Sequence, residues 1–466
     1  MSSKKSRFAP SPTGLMHIGN ARTALFSALL GDLFLLRIED TDAERSREEF
    51  VSGLIEDLRW LGLNWQEGPS SSEPEEAWFQ SKRTPIYERY YQQLIDSGLA
   101  YPCFCTPTEL EIARKVQLSS GRPPRYSGKC ARLSPEDIER KRNEGLQPTL
   151  RFKVPQDEPI RFIDGVRGPQ QFEPQDIGDF IIRRADGSSA FFFCNAIDDA
   201  LMGVTHVLRG EDHLTNTPRQ LLILEALGLP KPAYAHGSLI LGEDGAPLSK
   251  RNGSRSISEL RHEGYFPKAL VNMMARLGHH YDSDELMTLS ELKSKFGLEH
   301  LGKSPARFDF AHLEHWQTLA VRTASDQELD GWIPDEIWQF VPTEHHDGFR
   351  EVVRSNCLYP NEALIWAEIL FTDQITLDEP SKNAVDSAGE SFFLTALDLH
   401  KRSEGNYNVF LDGLKVATGA KGKGLFMPLR SAWTGRHDGP DLATIYRLID
   451  PDRLHNRMAQ FTYPSQ

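Results

Sequence analysis

The chain has 466 residues and a formal net charge of −13, and 39% of its residues are hydrophobic. This length predicts about three domains. No run of about 18 apolar residues and no apolar stretch near the N-terminus is present, so neither a membrane span nor a signal peptide is expected. Five cysteines, an odd number, favour a reducing cytoplasm. The acidic balance is typical of an enzyme rather than a general nucleic-acid binder, although one basic surface suffices for RNA.

An α/β pattern occupies the segment from Ser6 to about Leu99. A short strand leads into a loop rich in proline and glycine, and a helix begins at His17. This junction directs backbone N–H groups and the positive end of the helix dipole to one point, which suits a phosphate. The loop has no G-x-x-x-x-G-K sequence, so it is not a P-loop. Further elements are predicted as strands at 7–9 and 33–38 and helices at 50–61 and 84–98.

A segment of mixed structure at residues 100–192 interrupts this pattern. Its predicted elements are a helix at 134–145 and strands at 150–154, 160–163 and 179–184, followed by an Asp-Gly turn and a hairpin strand at 190–193. The α/β pattern then returns, with a strand at 204–208, a helix at 219–227 and a strand at 238–241. After Gly253 the chain is predicted to be mainly helical, with a clear helix at 266–277. The sequence therefore predicts an α/β catalytic domain with a mixed insertion and a helical C-terminal region.

Two motifs far apart in the sequence together suit a nucleoside triphosphate. His17 and Gly19 form an H-x-G pair at a helix start, and Ser249, Lys250 and Arg251 follow a predicted strand and a glycine turn. Each motif alone is ordinary, because capped turns and solvated charge clusters are common. A histidine at a helix N-terminus and a mobile lysine can together hold the triphosphate of ATP from both sides. Adenylyl transfer depends mainly on such positioning and on stabilising charge at the α-phosphate.

The H-x-G element and the S-K-R loop resemble the signatures of class I aminoacyl-tRNA synthetases. Longer strings narrow the resemblance to glutamyl-tRNA synthetase of the bacterial type: RFAPSPTG at 7–14, LRIEDTD at 36–42, DDALMGVTHVLRGEDH at 198–213, NTPRQ at 216–220 and YAH at 234–236. The resemblance is dense from residue 6 to about 280 and continues more weakly in GKGLFMPLR at 422–430 and LAT at 442–444. It implies a Rossmann-like catalytic domain and a tRNA-binding C-terminal region.

The resemblance implies a role in ATP binding for both short motifs. The implied ATP-binding residues are His17, Gly19, Ser249, Lys250 and Arg251. Of these, His17 and Lys250 are also implied to be catalytic, because they stabilise charge on the phosphates, and Mg²⁺ is expected to accompany ATP. The fourth position of the first signature holds Asn20 instead of histidine, and glutamyl enzymes often vary there.

A pocket for glutamate needs two cations, one for each carboxylate of the amino acid. The positions that match the family's pocket are Arg7, Ser11, Glu39, Phe191, Asn195 and Arg209. Arg209 is expected to bind the side-chain carboxylate, and Glu39 suits the α-ammonium group. The family usually has a tyrosine at position 191, so Phe191 lacks one hydroxyl contact. An isolated arginine is more often part of a surface ion pair, but the motif context favours a pocket.

Three cysteines in the predicted insertion are candidate metal ligands. Cys103 and Cys105 form a C-x-C pair, and Cys130 follows later. Relatives that bind zinc here use a histidine two residues after the third cysteine, but this chain has Arg132, which cannot ligate. The resemblance to close paralogues implies Tyr126 as the fourth ligand of a structural Zn²⁺. The alternative is a set of buried, metal-free cysteines.

The C-terminal third contains a basic, glycine-rich run with aromatic residues between the charges. Its members are Lys415, Lys421, Lys423, Arg430 and Arg436, with Phe426 and Trp433. Positive charge beside stacking rings suits single-stranded RNA, and the resemblance favours an anticodon loop over a solvated charged loop. The implied domains are the catalytic domain at 1–99 and 193–241, an acceptor-end-binding insertion at 100–192, a stem-contact region at 242–325 and a helical anticodon-binding domain at 326–466.

The sequence is thus expected to encode a cytoplasmic, monomeric enzyme that activates L-glutamate with ATP and transfers it to the 3′ end of tRNA-Glu. A nondiscriminating or tRNA-Gln-directed enzyme is the nearest alternative. A truncated paralogue that modifies a tRNA base, and a small-molecule adenylyltransferase, have no use for residues 325–466. A non-catalytic RNA-binding protein would not need His17, Lys250 and both pocket arginines.

Overall fold

A computed structural model describes residues 3–71, 74–121, 124–248 and 255–462. These fall into two units, Met1–Arg261 with Leu270–His312 and His262–Ala269 with Leu313–Gln466. The strands are β1 (Lys5–Phe8), β2 (Leu33–Leu36), β3 (Ala100–Cys103), β4 (Thr149–Phe152), β5 (Ile160–Asp164), β6 (Gly168–Phe172), β7 (Phe180–Arg183), β8 (His206–Gly210), β9 (Ala233–Gly237), β10 (Ile240–Leu241) and β11 (Ala306–Arg307).

The helices run through both units and are, in chain order, α1 (Ile18–Leu30), α2 (Glu48–Trp60), α3 (Thr84–Asp96), α4 (Pro107–Ser119), α5 (Pro135–Asn143), α6 (Pro174–Ile177), α7 (Phe191–Leu201), α8 (Thr217–Ala226), α9 (Ile257–His262), α10 (Pro267–Arg276), α11 (Leu289–Lys295), α12 (Phe310–Arg322), α13 (Asp326–Trp332), α14 (Asp335–Trp338), α15 (His346–Asn356), α16 (Pro360–Phe371), α17 (Glu379–Ala388), α18 (Glu390–Arg402), α19 (Tyr407–Thr418), α20 (Lys423–Thr434), α21 (Leu442–Leu448) and α22 (Pro451–Ala459). Short 3₁₀ turns lie between some of them. In the described part of the chain, no helix combines the length and apolar character needed to cross a membrane.

Four parallel strands form the central sheet of the first unit, in the order β2–β1–β8–β9. Their residues are mostly buried, as expected for a parallel sheet that is covered on both faces. The chain leaves β1 toward β2 on one side, while β8 pairs with β1 on the other. Such a switch point is where open α/β sheets bind ligands, at the carboxyl ends of the strands. This unit and the helical second unit confirm the predicted fold class.

The segment between β3 and β7 carries a separate antiparallel sheet, ordered β3–β4–β7, and the hairpin β5–β6. A continuous buried cluster joins this segment to the α/β part. It includes Tyr87, Tyr91, Phe152, Phe193 and Ile197. The predicted insertion therefore shares a hydrophobic core with the helices that support the parallel sheet.

The predicted hairpin strand at 190–193 is wrong, because α7 begins at Phe191. The hairpin after β7 ends early, with an isolated bridge between Arg183 and Ser189. The Ala190 carbonyl then accepts hydrogen bonds from the N–H groups of Phe193 and Cys194, which starts the helix. A run of four apolar residues is too short for its periodicity to distinguish a strand from a buried helix.

The strand predicted at 238–241 is observed only as β10, and β9 was not predicted. The residues of β9, two alanines, a tyrosine, a histidine and a glycine, have little β propensity as a group. Five consecutive pairs with β8 fix it as a strand instead. Tertiary pairing therefore outweighed local preference here.

The second unit is built from helices with polar N-caps and an aromatic core. Ser325, Asp378 and Asp441 each accept a hydrogen bond from a backbone N–H group in the first turn of the helix that follows. The rings of Phe410, Trp433 and Tyr446 lie 5.4 to 5.8 Å apart between centroids. These caps and rings account for a stable helical unit.

The expectation that Trp433 stacks on RNA is wrong, because its exposed fraction is 0%. Helical spacing places it on the inner face of α20, against Phe410 and Tyr446. Phe426, on the same helix, is 38% exposed. Of the two aromatic residues in the basic run, only Phe426 is available to a ligand.

Replacing Trp433 with alanine should lower the free energy of unfolding by about 3–5 kcal/mol, because a large buried side chain is lost and leaves a cavity. The control Phe426→Ala should cost about 1 kcal/mol or less, since that ring is partly exposed. Urea unfolding followed by circular dichroism measures both changes. Equal effects of the two substitutions would contradict this assignment of Trp433 to the core.

Candidate active site

A cavity of about 510 Å³ opens at the carboxyl ends of β1 and β8, at the switch point of the sheet. The predicted residues that line it are Arg7, Ser11, Gly19, Glu39, Phe191, Asn195 and Arg209. They come from β1, the loop after it, α1, the segment after β2, α7 and β8. The structure therefore brings together residues that are up to about 200 positions apart in the sequence.

The N-terminus of α1 forms one side of this cavity through Gly19 and Asn20. His17 is the N-cap residue, with extended backbone, and is half-buried but not among the residues that line the cavity. The first turn of a helix has N–H groups without intrahelical partners, and the helix dipole is positive there. This side of the cavity is therefore suited to an anion.

The predicted residues Ser249, Lys250 and Arg251 lie outside the described part of the chain. The described residues before them, Pro247 and Leu248, line the same cavity. After them, the chain returns to the first motif: Ser256 forms an antiparallel bridge with His17. The described residues that flank positions 249–254 therefore lie at the cavity on one side and beside the H-x-G motif on the other.

A buried arginine, Arg37, fixes the helix α7 against the end of the sheet. Its Nη1 lies 2.8 Å from Asp199 Oδ1, and its Nη2 donates to Asn195 Oδ1 at 2.9 Å. Asp198 Oδ2 and Glu39 Oε1 each lie 3.9 Å from the guanidinium. Burial opposes the charge of Arg37, but the three carboxylates outweigh burial and raise its pKa. The arginine is therefore a permanent cation within this acidic group.

Asp199 also orients the pocket arginine Arg7, since its two carboxylate oxygens lie 3.3 and 3.4 Å from Arg7 Nε and Nη2. The neighbouring Asp198 is held from the other side. It accepts hydrogen bonds from Arg83 Nε at 2.7 Å and from the Tyr87 hydroxyl at 2.6 Å. Both acids are fully buried, and each is compensated by cations and hydrogen bonds.

Glu39 is the acidic residue of the cavity. Its backbone N–H donates to the Pro10 carbonyl at 2.9 Å, which fixes the residue after β2 beside the loop that follows β1. Burial raises the pKa of Glu39 to about 7, and the charges of Arg37 and Arg7 only partly oppose this. A cationic group bound next to Glu39 would favour the ionised carboxylate.

Arg209 is the second cation of the cavity, and its direct partners are neutral. Its Nε donates to His236 Nε2 at 3.1 Å, and its Nη2 donates to Thr217 Oγ1 at 2.8 Å. Its Nη1 is buried and has no hydrogen-bond partner among the residues that the structure describes. Burial lowers the pKa of Arg209 to about 10, so the group stays charged at neutral pH. The guanidinium therefore keeps its charge, and the described residues leave one of its donors without a hydrogen bond.

Phe191 stands between this cavity and a second one. Its ring stacks on His213, with 5.4 Å between centroids, and burial lowers the pKa of His213 to about 4, so that imidazole is neutral at pH 7. The second cavity has a volume of about 1140 Å³, and the residues of the insertion that line it include Arg125 and Arg184. Phe191 lines both cavities. A ligand in the second cavity would reach the first past this ring.

The three predicted cysteine ligands lie together. The sulfur atoms of Cys103, Cys105 and Cys130 are all within 4.8 Å of one another. The Tyr126 hydroxyl lies 3.4 Å from Cys103 Sγ and 3.6 Å from Cys105 Sγ. The Cys105–Cys130 sulfur distance of 3.7 Å is close to the edge of about 3.8 Å in a tetrahedral zinc–thiolate site. The donor set and spacing therefore fit Zn²⁺.

Sequence reasoning gave no role to several residues that build this site. Arg37, Asp198 and Asp199 lie in strings that carry the resemblance, but these strings do not reveal that the three residues form a buried ion-pair network. Arg22 lines the cavity from α1, one turn after Gly19, and helical spacing was the available signal. His236 and Thr217, which hydrogen-bond Arg209, also lie in strings that carry the resemblance, but nothing local shows that they contact this arginine.

Comparisons with known proteins identify the family of this chain. Residues 4–315 match the family described as tRNA synthetases class I (E and Q), catalytic domain. The chain is 64% identical to glutamate–tRNA ligase 1 of Methylococcus capsulatus over 100% of both chains. It is 52% identical to glutamate–tRNA ligase 2 of Coxiella burnetii over 98% of this chain and 99% of that one. A crystal structure of a glutamate tRNA ligase from Elizabethkingia meningosepticum in complex with its amino acid is similar, with a TM-score of 0.88, 27% identity and 99% coverage of each chain.

Replacing Arg37 with methionine should lower the free energy of unfolding by about 3–5 kcal/mol, because the buried carboxylates lose their cation. The matched control is Arg45→Met, which removes a pair with Asp42 whose arginine side chain is 73% exposed. It should change stability little, since exposed pairs are screened by solvent. Denaturant unfolding measures both. A loss for Arg37→Met no larger than for the control would contradict the role of the buried network.

Proposed function

Because this chain belongs to the class I tRNA synthetases (E and Q), we propose that it is a glutamate–tRNA ligase. The cavity at the switch point of the sheet carries the proposal. It combines two arginines, Arg7 and Arg209, with the acid Glu39 and the N-terminus of α1. Glutamate has two carboxylates and one ammonium group, and ATP supplies the phosphates, so each charge has a counterpart.

Glutamate binds with its side-chain carboxylate on Arg209 and its α-ammonium group on Glu39. The Nη1 donor of Arg209 supports the first contact, since it lacks a partner among the described residues. Arg7 provides the second positive charge, and Asp199 fixes its orientation. The remaining pocket residues are Ser11, Phe191 and Asn195. Asn195 is oriented by its hydrogen bond from Arg37.

ATP binds with its phosphates between the N-terminus of α1 and the S-K-R loop. His17 and Gly19 contribute from the helix, and Ser249, Lys250 and Arg251 contribute from the loop. The described residues that flank this loop support the arrangement, because Leu248 lines the cavity and Ser256 pairs with His17. Mg²⁺ bound with ATP neutralises charge on the phosphates. His17 and Lys250 stabilise the charge that develops at the α-phosphate during transfer.

The reaction needs no protein nucleophile. An oxygen of the glutamate α-carboxylate attacks the α-phosphorus, the bond to the β-phosphate oxygen breaks, and glutamyl-adenylate and pyrophosphate form. A terminal ribose hydroxyl of tRNA then loses its proton and attacks the carbonyl carbon of the mixed anhydride. The carbon–oxygen bond to phosphate breaks, and AMP leaves. The protein accelerates both steps by positioning and charge stabilisation.

The tRNA 3′ end enters through the second cavity, in the acceptor-end-binding domain at 100–192. Arg125, Arg184 and Arg219 give this cavity a positive lining, and the shared Phe191 connects it to the glutamate pocket. The anticodon binds to the helical domain at 326–466, where Phe426 is exposed within the basic run. The enzyme acts as a monomer in the cytoplasm, where tRNA, ATP and glutamate are available.

Aminoacylation assays with purified tRNA-Glu and tRNA-Gln, each with labelled glutamate and labelled glutamine, test the function. Charging of tRNA-Glu with glutamate is expected. Lys250→Ala should reduce adenylate formation by about 100-fold or more, as for other lost transition-state contacts. The matched control is Lys231→Ala, an exposed lysine paired with Glu225, which should retain activity. Charging of neither tRNA would contradict the proposal, and glutamate on tRNA-Gln would identify a nondiscriminating or tRNA-Gln-directed enzyme.

The pKa of Glu39 predicts that glutamate binding depends on pH. At about 7, this pKa leaves much of the acid protonated below neutrality, and protonated Glu39 cannot pair with the α-ammonium group. The KM for glutamate should therefore fall as pH rises from about 6 to about 8, while the KM for ATP changes little. Glu39→Gln should raise the KM and abolish this dependence. A flat KM for glutamate in the unaltered enzyme would contradict the assignment.

The cysteine site is expected to bind one structural Zn²⁺ through Cys103, Cys105, Cys130 and Tyr126. Elemental analysis of the purified protein should find zinc, and Cys103→Ser should lose it together with thermal stability. The matched control is Cys357→Ser, a buried cysteine of the second unit that should leave the zinc content unchanged. Absence of zinc from the unaltered protein would support metal-free cysteines instead.

A further inference from the structure

A chain of buried polar side chains lies behind Arg209 and connects it to the insertion. His236, on β9, has its Nε2 3.1 Å from Arg209 Nε and 3.2 Å from Thr217 Oγ1. Its Nδ1 lies 2.5 Å from Asp164 Oδ2, at the end of β5. Asp164 and His236 are both fully buried. Neither residue is among those predicted to bind ATP or glutamate.

The partners of His236 determine which of its nitrogens carries a proton. A guanidinium can donate hydrogen bonds but cannot accept them, so the Nε2 that faces Arg209 must present a lone pair. The proton then lies on Nδ1, where Asp164 accepts it. The imidazole is therefore neutral, which also avoids a second positive charge beside Arg209.

Asp164 is held as a carboxylate by contacts of its own. Its Oδ1 accepts hydrogen bonds from the backbone N–H groups of Val166, Arg167 and His236, at 2.9, 2.8 and 3.2 Å. Burial works to raise the pKa of Asp164, but these bonds and the bond from the imidazole outweigh it and lower that pKa. The acid is thus rigid and ionised, as orientation of the imidazole requires.

These contacts fix one edge of the Arg209 guanidinium. Nε is taken by His236 and Nη2 by Thr217, and Nη1 is the buried donor without a partner in the described chain. Arg209 lines the cavity, so these contacts hold its guanidinium in place at the cavity wall. A held guanidinium loses less side-chain entropy on binding than a mobile one.

We propose that Asp164 and His236 are positioning residues for glutamate recognition: Asp164 fixes the neutral imidazole, whose Nε2 holds the Arg209 guanidinium in place for the side-chain carboxylate. This inference rests on the proposed function. Asp164 belongs to the segment predicted as the insertion, and the adjacent Gly165 N–H donates to the Tyr234 carbonyl of β9 at 2.8 Å. The insertion therefore contributes a residue to glutamate recognition as well as to tRNA binding.

Asp164→Asn tests the tautomer directly. The amide oxygen can still accept the backbone hydrogen bonds, but the amide N–H group donates toward His236 Nδ1 and forces the imidazole proton onto Nε2, against Arg209. In aminoacylation of tRNA-Glu, the KM for glutamate should rise about 10- to 100-fold. The KM for ATP should stay within about twofold, because Arg209 does not contact ATP. An unchanged KM for glutamate would overturn the proposal.

A pair of substitutions at position 236 separates positioning from general damage. His236→Gln places an amide oxygen near the former Nε2, where it can accept from Arg209, whereas the shorter His236→Asn leaves Arg209 Nε without an acceptor. Glutamine should restore the KM for glutamate to within about threefold of the unaltered enzyme, and asparagine should raise it about 10-fold or more. Equal values for the two variants would contradict the proposal.

The matched controls are His206→Gln and His206→Asn, at the start of the same strand as Arg209. Both should leave the KM for glutamate unchanged. If the variants at position 236 do not fold, Thr217→Val gives a second test. Valine has a shape similar to that of threonine, but it lacks the hydroxyl that accepts from Arg209 Nη2. This substitution should also raise the KM for glutamate without changing that for ATP, and an unchanged value would overturn the proposal.

The unaltered enzyme separates failure of this inference from failure of the proposed function. If it charges no tRNA with glutamate, the proposed function fails, and the positioning role falls with it. If it charges tRNA-Glu normally while Asp164→Asn and His236→Asn keep its KM for glutamate, only the positioning role is contradicted.

Discussion

The contact between Arg37 and Asp199, 2.8 Å long and fully buried, is the interaction on which the site depends. Arg37 follows β2 in the first half of the α/β domain, whereas Asp199 lies on α7, after the inserted segment. A buried cation must have its compensating charge and hydrogen bonds in place. This requirement fixes α7 at the end of the sheet, and with it Asn195 and the orientation of Arg7.

The cavity uses its arginines in two ways. Arg37, which does not line the cavity, is paired with buried carboxylates, so its charge builds the site, whereas Arg7 is oriented by Asp199 and also lines the cavity. The direct partners of Arg209 are the neutral His236 and Thr217, so no internal carboxylate forms an ion pair with it. The distinction explains how one cavity can be rigid, because its buried charges are compensated, and still attract an anionic side chain.

The sequence allowed the fold class and seven of the residues that line the cavity to be predicted, because long strings carried the resemblance. Local sequence patterns gave wrong predictions where tertiary contacts decide the structure. The apolar run at 190–193 begins α7 instead of forming a strand, and β9 forms because it pairs with β8. Trp433 is buried in the helical core instead of being exposed to RNA. The group behind Arg209 was beyond prediction for a related reason. Asp164 and His236 are 72 residues apart, and although His236 lies in the YAH string, no local pattern pairs it with Asp164.

A crystal structure with a nonhydrolysable glutamyl-adenylate analogue would show whether this cavity binds activated glutamate through Arg209 and Glu39. We expect the side-chain carboxylate within hydrogen-bond distance of the Arg209 guanidinium, the ammonium group at Glu39 and the phosphate beside the N-terminus of α1. An analogue bound elsewhere, or bound with its side-chain carboxylate away from Arg209, would contradict this expectation.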